Sequence, residues 1–269
     1  MRDVRATESE TIAEARRVAC ARLLACAGAP VLAWFAPRAG AQEGDDAEAR
    51  AIVERADAVR FPREGFEVEV GIVSTAPGED PDERRYRLLS KGNENTVVMT
   101  VEPASERGQI LLMRGRDLWI FLPNVSQPVR LSLSQRLTGQ VANGDLARAN
   151  FAGDYTPKLA GTEVLDGEKC WRLELAAVDR SVTYGRVTYW VRQANHWPHR
   201  ADFHAVSGRR LKTCRYEAFR EMAGRVRPTR LVMEDALREG ARSVLEYAGM
   251  KLRDLPDKIF TRDYLKRLE

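Results

Sequence analysis

The sequence predicts a mainly β protein with flanking helices: an antiparallel sheet of about eleven strands curled around its own apolar face, one helix before it and one after. Strand-length runs follow one another from Phe66 to Leu252, separated by short turns rich in Gly, Pro, Asn and Asp. Helical spacing of apolar residues occurs at the two ends of this series. Between Gly115 and Pro123-Asn124, Leu118-Trp119-Ile120-Phe121-Leu122 is apolar without a break, the mark of a short strand covered on both faces, because a strand wet on one side would alternate.

The N-terminus reads as a targeting segment. Arg16, Arg17 and Arg22 precede an uncharged run from Leu23 to Ala36 of about 14 residues, short of the ~20 that span a bilayer. Ala39-Gly40-Ala41 is a small-x-small cleavage site before the acidic stretch that begins at Glu43. Residues 1–41 are therefore expected to be a secretory signal, with 42–269 a single mature domain. Leu23-Leu24-Ala25-Cys26 leaves lipidation at Cys26 as an alternative, Arg16-Arg17 a twin-arginine route, and the apolar run a retained anchor.

From Asp45 to Val59, Ala47, Ala51, Ile52, Ala56 and Val59 fall on helical spacing, ended by Phe61-Pro62. At Phe66 the period becomes two: Phe66, Val68, Val70 and Ile72 alternate with Glu67, Glu69 and Gly71. Pro77 to Asp82 is a turn, Arg84 to Lys91 a second strand, and Asn93-Glu94-Asn95 the turn into Thr96 to Val101. Gly108 to Met113 leads into the doubly apolar strand, and Val129, Leu131 and Leu133 alternate with Arg130 and Ser132 beside it. Gly139 to Pro157 has no period; a loop of this length inside a compact domain reads either as a removable cover or as an ordinary crossover. Strands resume with Thr162 to Leu165, turn at Asp166-Gly167 into Cys170 to Val178, and continue as 187–191, 198–206, 211–219, 227–235 and 243–252. Ile259, Phe260, Tyr264, Leu265 and Leu268 give the last segment, 257–268, helical spacing.

Composition excludes several function classes. The 43 Lys and Arg are interleaved with 39 Asp and Glu for a net charge of +4, with no basic stripe, so no nucleic-acid partner is implied. His196, His199 and His204 lie on a strand pattern that sends neighbouring side chains to opposite faces, so neither a metal nor a cofactor is expected. No nucleophile elbow, dinucleotide-binding glycine motif or phosphate loop is present, and the chain is not expected to be an enzyme. Cys170 and Cys214, which remain after the signal is removed, form a disulfide if the sheet closes on itself. They stay free if their strands are three steps apart in a meander, since strands lie about 4.8 Å apart and a bridge reaches ~7 Å between Cα atoms.

The N-terminal helix, the strand series, Leu118 to Pro123, the Gly144-Asp145 loop leading to Asp154-Tyr155, and Trp171 after an Asp-Gly turn resemble the outer-membrane lipoprotein-sorting family, whose periplasmic carrier is LolA. That resemblance implies a half-open antiparallel barrel with helices over its mouth and an apolar cavity for the acyl chains of a lipoprotein or lipid. It also implies an inner-membrane transporter that loads the protein and an outer-membrane acceptor that unloads it, with the protein a periplasmic monomer. Each buried CH₂ contributes about 0.8 kcal/mol, so acyl chains crossing water need such a cavity. On the strands, the expected lining residues are Phe66, Val68, Val70, Leu112, Trp119, Phe121 and Leu131, with Trp171, Leu173 and Tyr189 from the later strands. Phe151 and Tyr155 join them from the aperiodic segment, and that segment and both terminal helices are expected across the mouth. Met99 and Met113 would keep the lining conformable. The alternative on the same fold is a periplasmic sensor or interaction module. Such regulators carry a second C-terminal domain, and the chain ending at Glu269 favours the carrier.

Overall fold

The computed structural model describes residues 46–148 and 150–265. The expected signal, its cleavage site, Cys20 and Cys26, and the last residues of the predicted C-terminal helix lie outside these.

The first helix, α1 (Ala47–Arg60), starts where Asp46 accepts the Ala49 amide at 3.0 Å and stops at Phe61, whose backbone turns extended ahead of Pro62. The stripe that includes Ile52, Val53, Ala56, Asp57 and Arg60 is buried against the sheet. The strands that follow are β1 (Phe66–Thr75), β2 (Asp82–Lys91), β3 (Asn95–Glu102), β4 (Ile110–Arg114), β5 (Asp117–Phe121) and the three-residue β6 (Val129–Leu131). Then come a small pair, β7 (Arg136–Thr138) and β8 (Val141–Ala142), and two short helices, α2 (Asn143–Ala147) and α3 (Phe151–Asp154). The second series is β9 (Tyr155–Leu165), β10 (Glu168–Ala177), β11 (Arg186–Arg192), β12 (Pro198–His204), β13 (Arg210–Met222), β14 (Arg225–Asp235) and β15 (Arg242–Leu252). A 3₁₀ turn at Asp257–Phe260 and α4 (Arg262–Leu265) end the described chain.

These strands form one open antiparallel sheet of 13 strands in the order β6-β5-β4-β3-β2-β1-β15-β14-β13-β12-β11-β10-β9, with β7 and β8 apart. The open, half-barrel architecture is the expected one, and the Asp166-Gly167 hairpin forms with both residues at positive φ. The count exceeds the predicted eleven. One start was also mislocated, because Pro157 and Gly161 hide the alternation of β9, which begins at Tyr155 rather than near Thr162. A simple end-to-end meander is corrected too. β1 pairs with β15, from Phe66 opposite Leu252 to Thr75 opposite Arg242, so the first and last strands meet in the middle and the edges are β6 and β9. Residues 132–154, leaving one edge and arriving at the other, have to cross the face of the sheet.

That face, the inner one, carries the main core: Val68, Val70, Ile72, Leu118, Leu173, Leu175, Val187, Tyr189 and Leu245 are all fully buried there beneath α1 and the crossover. The outer face is apolar on β3 to β5, where Val97, Ile110 and Leu112 form a second cluster with Leu255, Ile259, Phe260 and Leu265. Here the doubly apolar strand finds its second cover. Leu118 and Ile120 turn inward, Trp119 and Phe121 outward, and the C-terminal segment lies over the latter rather than across the mouth. Alternation along β5 forces this division, since neighbouring side chains cannot share a face.

The disulfide is not formed. Cys170 and Cys214 are free and buried. They stand on β10 and β13, with β11 and β12 between, and Cys214 belongs to the inner cluster while the neighbours of Cys170, Trp171 among them, point that way in its place. Burial pushes the Cys170 thiol up to about 11 and that of Cys214 to about 12, so neither is a ready nucleophile.

Candidate functional site

What distinguishes the inner face is that a helix and a crossing segment cover it, with the two-stranded β7–β8 as the cover's only sheet among the described residues. The cover is α1, with Ala49, Ile52, Val53 and Ala56, and the crossover, with Leu133, Val141, Ala142, Leu146, Ala147, Phe151 and Ala152. Phe151 meets Tyr155, Tyr189 and Phe203 edge-on with centroids 5.6, 5.3 and 6.3 Å away, and the Arg60 guanidinium stacks 4.1 Å above its ring.

Polar contacts fix the crossover along its length, beginning with the Thr138 hydroxyl on Asp82 and the Gln140 amide on the Ser243 hydroxyl. Asp57 on α1 accepts the Ala152 amide at 2.9 Å and Arg60 at 3.2 Å, while Arg50 donates to the Ala152 carbonyl. Arg148 grips Asp154 with two nitrogens, at 2.5 and 2.7 Å, and reaches the Gly115 carbonyl at 2.7 Å; Arg116 adds a third bond to Asp154 at 3.0 Å. These tie the crossover to the β4–β5 turn. Lys212 on β13 donates to Asp145 and to the Gln140 carbonyl, and the Tyr184 hydroxyl donates to Asp145 at 2.8 Å. Finally, Gly139 passes over the β1–β15 junction at φ +48°, where an added Cβ would stand 2.1 Å from the Ser74 hydroxyl and 2.4 Å from that of Ser243. Only glycine fits such an approach.

Buried charges are costly unless paired, and those under the crossover are paired. Arg148 and Asp154 expose 3% and 6% of their side chains, Lys212 and Asp145 5% and 6%, so each pair is fixed in one geometry. Asp57 differs. Burial raises its carboxyl to about 6, against the pull of Arg60. The folded state therefore holds this proton more tightly than the unfolded chain, and the group favours folding at low pH. That contribution is lost as pH rises from 3.8 through about 6. Urea unfolding of the wild type should show this fall, and Asp57→Asn should flatten it; an equal slope in both proteins would rule Asp57 out as its source.

Closed in this way, the centre of the inner face retains a void of about 20 Å³ beside Arg60, Asp145, Arg148 and Phe151, the space of about one water. Towards β2–β6 a separate cleft of about 400 Å³ lies between Tyr86, Leu111, Ile120 and Leu131 of the sheet and Leu137 of the crossover, with Arg84 and Glu106 also lining it. That volume lies in the range of ligand sites. A larger depression of about 640 Å³ lies along β12 and β13, where Arg200 and Arg215 point away from the core. Its lining mixes Leu165, Ala218 and Phe219 with charged groups, and Arg215 there is bonded to Glu217 and Glu234. Among the described residues no group of His, Cys, Asp and Glu could hold a metal ion, and no helix is long and apolar enough to cross a membrane.

The fold is shared with known proteins. A family model described as an uncharacterized protein matches residues 92–267. A LolA superfamily protein from Nitrosomonas europaea is 62% identical, with a TM-score of 0.77 over 80% of this chain and 98% of that one. The chain belongs to the LolA superfamily. Two further structures share its fold at low identity. One is a DUF1329 family protein from Desulfovibrio piger, 22% identical with a TM-score of 0.71 over 81% of this chain and 98% of that one. The other is a domain assigned to outer-membrane lipoprotein sorting from Vibrio parahaemolyticus, at 18% and 0.71, over 82% and 99% of the two chains. No curated protein matches the chain.

Within this LolA-superfamily fold, Phe66, Val68, Val70, Leu131, Phe151, Tyr155, Trp171, Leu173 and Tyr189 stand on the inner core. Leu131 faces the 400 Å³ cleft, Phe151 and Tyr155 border the small void, and Trp171 is half-buried at the edge of the core; the others are in closed packing. Leu112, Trp119 and Phe121 are corrected: they belong to the outer cluster, with the Arg262 guanidinium 4.5 Å over the Trp119 ring. Of the conformable residues, Met113 is inner and Met99 outer. Sequence reading missed the buried ionic groups. Their signal was present, since Asp57 and Arg60 continue the stripe of Val53 and Ala56, and Lys212 precedes the inward Cys214 and Tyr216 by even steps.

Proposed function

We propose that the protein is a periplasmic carrier that holds the acyl chains of lipoproteins or lipids between the inner face of its sheet and the crossover, for transfer towards the outer membrane. Loading is by an inner-membrane transporter and unloading by an outer-membrane acceptor; the protein binds and releases, and performs no catalysis. The observation that supports this best is the nature of the cover. The 13-stranded sheet buries its apolar face under a helix and a chain segment that share no strand pairing with it, so the cover can lift while the main sheet stays paired. In the closed state the apolar groups satisfy each other, and lifting the crossover would expose a surface that acyl chains can cover. The 400 Å³ cleft at Leu111, Ile120 and Leu131 is where chains would enter.

Adjacent residues of β5 test this, because they share a strand and face opposite sides. Ile120→Asp puts a carboxylate into the inner cleft, where desolvation opposes any acyl chain, and should lower binding of a fluorescent fatty acid by about tenfold or more. Phe121→Asp, on the outer face, should leave binding unchanged. Both proteins are to be checked for folding by thermal unfolding. A folded Ile120→Asp protein that binds like the wild type overturns the proposal.

A further inference from the structure

Lys212 is out of place on an apolar face. It projects inward from β13 opposite Phe203, in register ahead of Cys214 and Tyr216, and its residue exposure is 4%. Its ammonium lies 5.1 Å from the centre of the Tyr184 ring and 5.5 Å from that of Phe203, with the Met233 sulfur at 3.6 Å. Both of its oxygen partners, the Asp145 carboxylate and the Gln140 carbonyl, belong to the crossover. Lifting the crossover would therefore strip the ammonium of both at once and leave it in a cage of two aromatic rings and a thioether. The carboxylate across the strand pair, Asp235, has one oxygen committed at 2.7 and 3.1 Å to the amides of Leu237 and Arg238. A buried cation without an anion is strongly disfavoured, so whatever fills the open site is selected for negative charge.

Access is already built. A cleft of about 180 Å³ runs between Arg136 to Ala142 of the crossover and the rim of β13 and β14, and Lys212 and Tyr184 line it. Beyond Lys212, Phe203 and Met233 begin the apolar interior. A ligand lying along this path has its charged end at the rim and its hydrocarbon inside. Asp145, which accepts from Tyr184, Lys212 and the Ala142 amide together, occupies the place of the charged end.

Building on the carrier reading, we infer that Lys212 is the anion-binding point of the cargo site, and that Asp145 fills it in the closed state in place of the carboxylate or phosphate of an anionic amphiphile. Two sources share this chemistry, a fatty acid and an anionic phospholipid.

The test uses vesicles of phosphatidylcholine, phosphatidylglycerol and oleate in equal amounts. The protein is incubated with them, separated by size, and its bound lipid measured by mass spectrometry. Wild type should be enriched in oleate or phosphatidylglycerol over phosphatidylcholine by about tenfold, the worth of one charge-assisted hydrogen bond; which of the two is enriched identifies the source. Asp145→Asn removes the competing charge while keeping an acceptor for Tyr184, and should raise anionic uptake. Lys212→Met alone would leave Asp145 buried and unpaired, so Lys212→Met is combined with Asp145→Asn. This double variant should take up lipid in the proportions of the vesicle. Opposite effects of the two variants are not expected of a merely structural ion pair. A double variant that keeps the anionic preference, or an Asp145→Asn protein that loses it, overturns the inference. So does uptake in vesicle proportions by all three proteins, which leaves the carrier reading standing. Absence of any bound lipid overturns the carrier reading and the inference with it.

Discussion

Asp154→Ala should lower the unfolding free energy by about 3–5 kcal/mol, the usual cost of leaving one member of a buried pair alone. Arg148 exposes 3% of its side chain and spends two nitrogens on Asp154, so the substitution leaves this buried guanidinium with the Gly115 carbonyl and a longer 3.8 Å approach to Glu94. Arg116 would keep Asp179 and the Gly153 carbonyl, so its loss is smaller. The damage should concentrate in the crossover. Limited proteolysis should cut between residues 139 and 154 well before the sheet, and amide exchange there should rise while β1 and β15 stay protected. Asp154→Asn, which keeps an acceptor for one nitrogen, should fall between the two. A loss below about 1 kcal/mol for the alanine variant would mean that the pair does not hold the crossover down.

Phe260→Ala should cost about 3–5 kcal/mol as well, by a different route. Phe260 is 1% exposed and anchors the C-terminal segment on the outer cluster of Val97, Ile110 and Leu112. Removing its ring leaves a cavity that the short turns of 257–265 cannot close, and the segment should detach. Trp119, now uncovered, should then report a red-shifted emission. Because this cluster lies on the opposite side of β5 from Ile120, fluorescent fatty-acid binding should survive. Loss of that binding in a folded Phe260→Ala protein would show that the two faces are coupled.

The sequence by itself determined most of the strands of the main sheet, the first helix and, at most positions, which side chains share a face. β7, β8 and the short helices of the crossover carried no legible period, and the expected helix over 257–268 is, among the described residues, a 3₁₀ turn and the four-residue α4. Period two from Phe66 to Ile72 and the Asp166-Gly167 turn are local signals, fixed by strand geometry and by the φ that a tight hairpin demands. The unbroken run at Leu118 to Leu122 likewise announced that two covers were needed. Which cover lies on which side was not local. Pairing of β1 with β15 depends on contacts between residues more than 160 positions apart, and it is this pairing that sends residues 132–154 across the inner face and places both edges away from the chain's own ends. The C-terminal segment then has the outer face within reach, which moved Leu112, Trp119 and Phe121 out of the expected lining. The buried ion pairs were decided at the same level. A lysine at position 212 or an aspartate at 145 reads as solvated surface until the fold brings them to 2.5 Å with 5% and 6% of their side chains exposed, because the energy of a charge depends on what surrounds it and the sequence lists only its chain neighbours.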